Sequence, residues 1–151
     1  MKNAEFTVEF ISHVLANGTG PEGDKGRFQR DGGDYIVFQQ SWWYSAFCSA
    51  IELAHVRGIK AADVSMNLSF EAPTSVYNRR YGKDNYREHE AIMPGEKVKF
   101  EAVVADHVTT STLTAILNKL GAYVGISPFG HRLGFGKFKV LEVNVADNEA
   151  E

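Results

Sequence analysis

The chain has 151 residues, 44% of them hydrophobic and 23% charged, a balance that suits one folded domain with a sizeable core. No apolar run approaches the roughly 18–20 residues that span a bilayer, no apolar leader follows Met1-Lys2-Asn3, and a lone Cys48 excludes an intrachain disulfide; a cytoplasmic protein with no membrane partner is expected. The net charge of −3 argues at first against nucleic acid, but Asp147, Glu149 and Glu151 carry all of it, so residues 1–146 are neutral and free to hold a basic face.

The first expected element is a strand, Glu5 to Phe10, in which Phe6, Val8 and Phe10 alternate with Thr7 and Glu9. Residues Asn17 to Asp34 are rich in glycine and charge, and most of them read as mobile loop. Their end reads as a small hairpin, Arg27–Arg30 with Tyr35–Phe38, closed by Asp31-Gly32-Gly33-Asp34. Ser41 suits the N-cap of a helix running to about Arg57, with Gly58 as its stop. Ser41, Ser45, Ser49, Glu52 and His55 make one narrow polar stripe on it. The helix is therefore expected to be largely buried, with Trp42, Trp43 and Phe47 in the core.

A second strand, Asp63 to Phe70, keeps Val64, Met66, Leu68 and Phe70 in phase. Pro73 and Pro94 bracket a long excursion, inside which Tyr77 to Arg87 alternates aromatic and basic residues around Gly82, a suitable hairpin turn. Lys97 to Ala105 is the third strand, through Val98, Phe100 and Ala102. Thr110 or Ser111 caps the next helix, where Leu113, Ile116, Leu117 and Leu120 fall on one face and Gly121 is the stop. In the last strand, Lys137 to Val145, Phe138 and Val140 share one face while Leu141, Val143 and Val145 share the other. That implies a bulge near Val140 or burial on both sides. The order predicts an α+β domain over residues 1–146: a ferredoxin-like (βαββαβ) antiparallel sheet with both helices on one face.

Two stretches carry the chemistry. Between the second helix and the last strand runs Gly125-Ile126-Ser127-Pro128-Phe129-Gly130-His131-Arg132-Leu133-Gly134-Phe135-Gly136. Glycine serves where φ is positive or where a backbone must come close to something. With His131 and Arg132 inside the loop and Lys137 just after it, amide N–H groups and cations are expected along one edge, an anion-binding arrangement. The alternative is a tight connection that lets helix and strand pack closely. Gly125, Ser127, Gly130, His131, Arg132, Gly134, Gly136 and Lys137 are the candidate contacts here. The excursion adds Tyr77, Arg79, Arg80, Tyr81, Lys83, Tyr86 and Arg87 for base stacking and phosphate neutralisation. Its charges balance from Glu71 to Lys97, so a solvated hairpin is the other reading. Five histidines and one cysteine show no ligand spacing, and no P-loop is present, so neither metal nor cofactor is expected. His131, beside Arg132, and His13 are the candidates for a catalytic base, but no base–nucleophile pair accompanies them and a non-enzymatic role is preferred.

The ending Gly125-Ile126-Ser127 … Gly134-Phe135-Gly136-Lys137-Phe138 resembles the glycine-rich signature of the repeat-associated mysterious protein (RAMP) superfamily, the RNA-handling proteins of CRISPR systems. Ser127 stands where that signature has glycine, and the spacer is slightly longer. Asp31 to Phe47 is similar to the segment leading into the first helix of the backbone-type members, without their proline and glycine. The resemblance covers most of residues 5–145 and extends to short proteins of this type encoded in bacteriophage genomes. It implies a ferredoxin-like fold, single-stranded nucleic acid (RNA or DNA) bound along the sheet and glycine loop, a hairpin over the bound strand at residues 74–92, and several copies on one ligand, hence a homo-oligomer. Two further readings stay open: a metal-independent endoribonuclease of RAMP type, and a phage protein-interaction module that mimics a subunit of a host nucleic-acid machine and so takes a host protein partner. Residues 147–151 read as a disordered acidic tail, either a plain chain end or a competitor for the basic face.

Overall fold

The computed structural model describes residues 1–16, 26–31, 35–80, 83–127 and 134–146. Among the described residues ten strands and two α-helices follow one another: β1 (Lys2–Phe10), β2 (Val14–Leu15), β3 (Gln29–Arg30), β4 (Ile36–Val37), α1 (Gln40–Ala54), β5 (Val64–Asn67), β6 (Ser69–Phe70), β7 (Ser75–Arg80), β8 (Tyr86–Ile92), β9 (Lys97–Val104), α2 (Thr110–Lys119) and β10 (Phe138–Val145). They form three antiparallel sheets, ordered β10-β1-β9-β5, β2-β8-β7 and β3-β4-β6. The architecture is mixed α and β, and more elaborate than the single sheet expected from the strand count. The extra sheets grow from the two expected hairpins, β3–β4 and β7–β8: β2, which was not expected as a strand, pairs with β8 at the hairpin base, and β6, expected to continue β5 as one strand, leaves the main sheet to pair with β4.

The main sheet has one apolar face because its strands alternate with period two. Ala4, Phe6, Val8 and Phe10 of β1 lie opposite Ala102, Phe100 and Val98 of β9 and, on the other side, Val145, Val143, Val140 and Phe138 of β10. Phe6 packs 5.4 Å from Phe100 and 6.0 Å from Trp43, whose ring stacks on Phe47, so α1 is fixed to the sheet through aromatic contacts. Leu113, Ile116 and Leu117 of α2 are fully buried in the same core. The expected bulge in the last strand is present: Thr7 faces Glu142 but Val8 faces Val140, so Leu141 is the extra residue, and it is exposed.

Several local expectations are corrected. Helix α1 begins at Gln40, after Gln39 and without a side-chain cap, so Ser41 is inside the helix. It ends at His55 rather than near Gly58. His55 takes a left-handed conformation, φ 55°, with its N–H donating to the Glu52 carbonyl. The helix is not largely buried: Trp43, Ala46, Phe47 and Ala50 face the core, while Tyr44, Cys48 and Leu53 are exposed, because only the sheet side is covered. Thr109, not Thr110 or Ser111, caps α2, accepting the Thr112 N–H and pairing reciprocally with the Thr112 hydroxyl. Gly121 does not stop that helix. The chain widens into a π-helical turn, Leu120–Val124, and Gly121 presses against the backbone of β10, where a β-carbon would come 2.3 Å from the Phe138 carbonyl oxygen. Among the described residues, no helix is long and apolar enough to cross a membrane.

Candidate nucleic-acid interface

The expected hairpin is formed by β7 and β8, with Ser75 opposite Ala91 and Arg80 opposite Tyr86. Residues facing each other across an antiparallel pair share a face of the sheet, so the register sorts the charges. Tyr77, Arg79, Arg87 and His89 share one face; Val76, Asn78, Arg80, Tyr86, Glu88 and Glu90 share the other. A stretch with balanced charge in sequence thus acquires one face bearing two arginines and a tyrosine, and no carboxylate.

That face meets the ends of the glycine loop. The Tyr77 ring lies 4.5 Å from the His13 ring and 5.9 Å from Phe135, the latter edge-on at 79°. Three rings from three separate segments therefore form one cluster, with Tyr77 central and half-buried. Backbone hydrogen bonds hold the two outer segments together. Gly136 donates its N–H to the His13 carbonyl at 2.8 Å, Lys137 donates to Ser12 Oγ at 2.9 Å, and Ile11 donates to the Lys137 carbonyl at 2.9 Å.

These bonds also correct the expectation of open amides along the loop. Gly125 donates to the Leu120 carbonyl at 2.6 Å and Ile126 to the Gly136 carbonyl at 3.0 Å, so the N–H groups of Gly125, Ile126, Gly136 and Lys137 are all used within the chain. Gly136 has φ 74°, and a β-carbon there would lie 1.9 Å from the Ile126 carbonyl oxygen. At its described ends the loop is glycine-rich for backbone-on-backbone packing, the alternative reading of the motif. Gly125 and Gly136 are buried, while Ser127, Gly134 and Lys137 are partly exposed. Gly130, His131 and Arg132, with Tyr81 and Gly82 of the hairpin turn, lie outside the described residues, as do residues 17–25, 32–34 and 147–151.

The hairpin base is fastened by Glu90, which is 8% exposed. Its carboxylate accepts hydrogen bonds from the Phe28 N–H at 2.8 Å, from the Thr74 hydroxyl at 2.8 Å and from both terminal nitrogens of Arg30. Burial alone would raise the carboxyl pKa; the Arg30 hydrogen bonds, with those of Phe28 and Thr74, outweigh it and hold it below the usual carboxylate value. The Glu90 main chain is engaged as well, accepting from the Ala16 N–H at 2.9 Å and donating to the Gly26 carbonyl at 2.7 Å. Buried His89 sits beside it, Nδ1 2.6 Å from the Ala16 carbonyl oxygen and Nε2 facing Arg79 Nε at 3.4 Å. Those partners assign the proton to Nδ1 and leave Nε2 to accept from Arg79.

Of the remaining candidates, Arg80, Lys83, Tyr86 and Arg87 are exposed, and Arg80 donates to the Lys83 carbonyl across the turn. Arg80 and Tyr86 point to the face away from Tyr77. Phe135 and the Glu90–Arg30 pair were not singled out from the sequence. The only signal for Phe135 was its place between Gly134 and Gly136, and no local pattern links Arg30 to Glu90.

The solvent face of the main sheet has a different character. It carries Glu5, Glu9, Glu101 and Glu142 with Lys97, Lys99 and Lys139, and no aromatic side chain. Glu5 and Glu101 stand directly opposite each other, and Lys99 bridges to Glu5 at 3.0 Å. A polyanion would meet carboxylates along this surface. The rings and arginines that suit one are on the hairpin, not along the sheet as the resemblance implied.

No family model matches the chain, and no curated protein sequence matches it. Among solved structures the fold is similar to that of a chain in the cryo-EM structure of the Type III-B Cmr-beta bound to cognate target RNA, with 12% identity and a TM-score of 0.53. The alignment covers 97% of this chain and 61% of that one, so this chain spans about three-fifths of its neighbour's length.

Proposed function

We propose that the chain binds single-stranded nucleic acid, RNA or DNA, through the hairpin face that carries Tyr77, Arg79 and Arg87, and that it does so without catalysing a reaction. The observation that carries this reading is the ring cluster of Tyr77 with His13 and Phe135 on the same face as two opposed arginines. Rings beside cations are what a single strand asks for: a stacking platform for bases and countercharge for phosphates. Gly134 adjoins Phe135 in the chain and Lys137 is tied to Ser12 beside His13; Gly125, Ser127, Gly130, His131, Arg132 and Gly136 belong to the same glycine-rich stretch and are proposed with them as contacts on the sequence alone. His13 serves here as a stacking neighbour of Tyr77 rather than as a base.

The fold reading that goes with it is a ferredoxin-like RAMP-type domain over residues 1–146. The order β10-β1-β9-β5, antiparallel throughout, with α1 between β1 and β5 and α2 between β9 and β10, supports that core; the two small sheets are additions to it. The similarity in fold to a chain of an RNA-bound assembly supports RNA as the first ligand to try; several copies along one strand are part of the same proposal and rest on the sequence resemblance alone.

Fluorescence anisotropy with labelled single-stranded RNA and DNA at two salt concentrations tests the proposal. Binding that weakens steeply with salt is expected; no binding at low salt overturns it.

A further inference from the structure

We propose that a trough across the solvent face of the main sheet binds a linear aliphatic polyamine, whose ammonium groups pair with Glu5 and Glu101. A cavity of about 760 Å³ opens there, lined by three consecutive residues from each of β10, β1, β9 and β5. The strand register explains its shape. Val145, Ala4, Ala102 and Met66 form one row across the four strands. Ala4 and Ala102 turn their side chains into the core, so main chain alone floors the trough at its centre. On one side of that row stand Asn144, Glu5, Glu101 and Asn67, each opposite the next. On the other stand Asn3, Val103 and Ser65, shorter and uncharged.

The lining selects the ligand. Glu5 and Glu101 are directly opposite, and like charges so placed repel. Lys99 bridges to Glu5 at 3.0 Å, whereas Glu101 has no ion-pair partner among the described residues. One cation thus serves two carboxylates, and a second would relieve the pair. The carboxamides at the ends of the wall add acceptors. Asn144 donates its Nδ2 to Glu142 at 3.0 Å, which leaves Oδ1 to accept, and Asn67 Oδ1 already accepts from the Ser69 N–H at 3.1 Å with a second lone pair to spare. Four acceptors in line across three strand spacings, about 14 Å, suit a chain that carries N–H donors at intervals. Other ligand classes fit less well. Among the described residues no three His, Cys, Asp or Glu side chains are grouped to hold a metal ion. A sugar would find no ring to stack on, and an anion would meet the carboxylates. The site is separate from the Tyr77 face and does not depend on nucleic-acid binding.

Isothermal titration calorimetry of the full chain with spermine at low salt tests the proposal. Saturable binding is expected, tighter than that of putrescine, a diamine that covers less of the wall. Glu5→Gln/Glu101→Gln should weaken spermine binding about fivefold to tenfold, the scale of two exposed charge pairs. Glu9→Gln/Glu88→Gln removes the same charge outside the trough and should leave the affinity unchanged. Absence of spermine binding overturns the proposal, as does equal weakening by the two variants or equal affinity for putrescine. Trilysine bound as tightly as spermine also overturns it, in favour of a basic protein segment.

Discussion

Arg79 stands directly opposite Arg87 across the β7–β8 hairpin, so two guanidinium groups share the face that carries Tyr77. If that face binds a single strand, each arginine that neutralises a phosphate adds to the salt dependence of binding. Arg79→Gln and Arg87→Gln should each lower the slope of log affinity against log salt by about 0.7. Anisotropy titrations across a salt series give that slope directly.

Tyr77 is the centre of the ring cluster, and its replacement separates stacking from charge. Tyr77→Ala should weaken oligonucleotide binding by about 1–3 kcal/mol, roughly 5- to 150-fold, with the salt slope unchanged. The same variant, checked by urea unfolding, distinguishes lost stacking from a loosened hairpin.

Gly134 and Gly136 share a positive φ but not an environment. A β-carbon at Gly134 meets nothing within 4 Å, whereas one at Gly136 would strike the Ile126 carbonyl. Gly134→Ala should cost only the conformational preference, about 1–2 kcal/mol. Gly136→Ala should cost clearly more, since backbone must move as well. Thermal unfolding of the pair checks the order.

Glu90 ties acid sensitivity to the hairpin base. Its carboxyl titrates below its unfolded value because the bonds from Arg30, Phe28 and Thr74 outweigh burial. The stability it contributes is therefore full above the unfolded carboxylate pKa, about 4.3, and is lost as pH falls through the lower folded value. Hydrogen-exchange protection at Ala16 and Glu90 should drop below about pH 4. Glu90→Ala should cost roughly 1–3 kcal/mol, because it leaves the Phe28 N–H without its buried acceptor and removes the close pair with Arg30.

His55 holds a left-handed backbone at the end of α1. Replacing it with glycine should stabilise the fold by about 1 kcal/mol, read as a higher urea midpoint with an unchanged slope.

The sequence made the main sheet and the helix faces legible, since period-two and period-3.6 patterns survive wherever one side of an element is buried. Phe6, Val8 and Phe10, or Leu113, Ile116 and Leu117, could be placed from spacing alone, while the phase change at Val140 left a bulge or two-sided burial open and the structure shows the bulge. Both hairpins were legible as well, but strands of two residues, such as Val14–Leu15 and Ser69–Phe70, are too short to show where they pair, so the third strand of each small sheet was not. Glycine named the tight places but not their partner: at Gly136 the neighbour is the chain's own Ile126. The charge balance between Glu71 and Lys97 hid the two-faced hairpin, because which residues share a face depends on register, and register is set by pairing far from the charges.

The main chain of Glu90 meets Ala16 with its carbonyl and Gly26 with its N–H, so the two ends of residues 17–25 finish on one amino acid. Lengthening a connection whose ends are already clamped costs little, about 0.6 kcal/mol for each doubling. A reporter peptide spliced between Ala16 and Gly26 would inherit that clamp and leave every side chain of the Tyr77 face as nature wrote it.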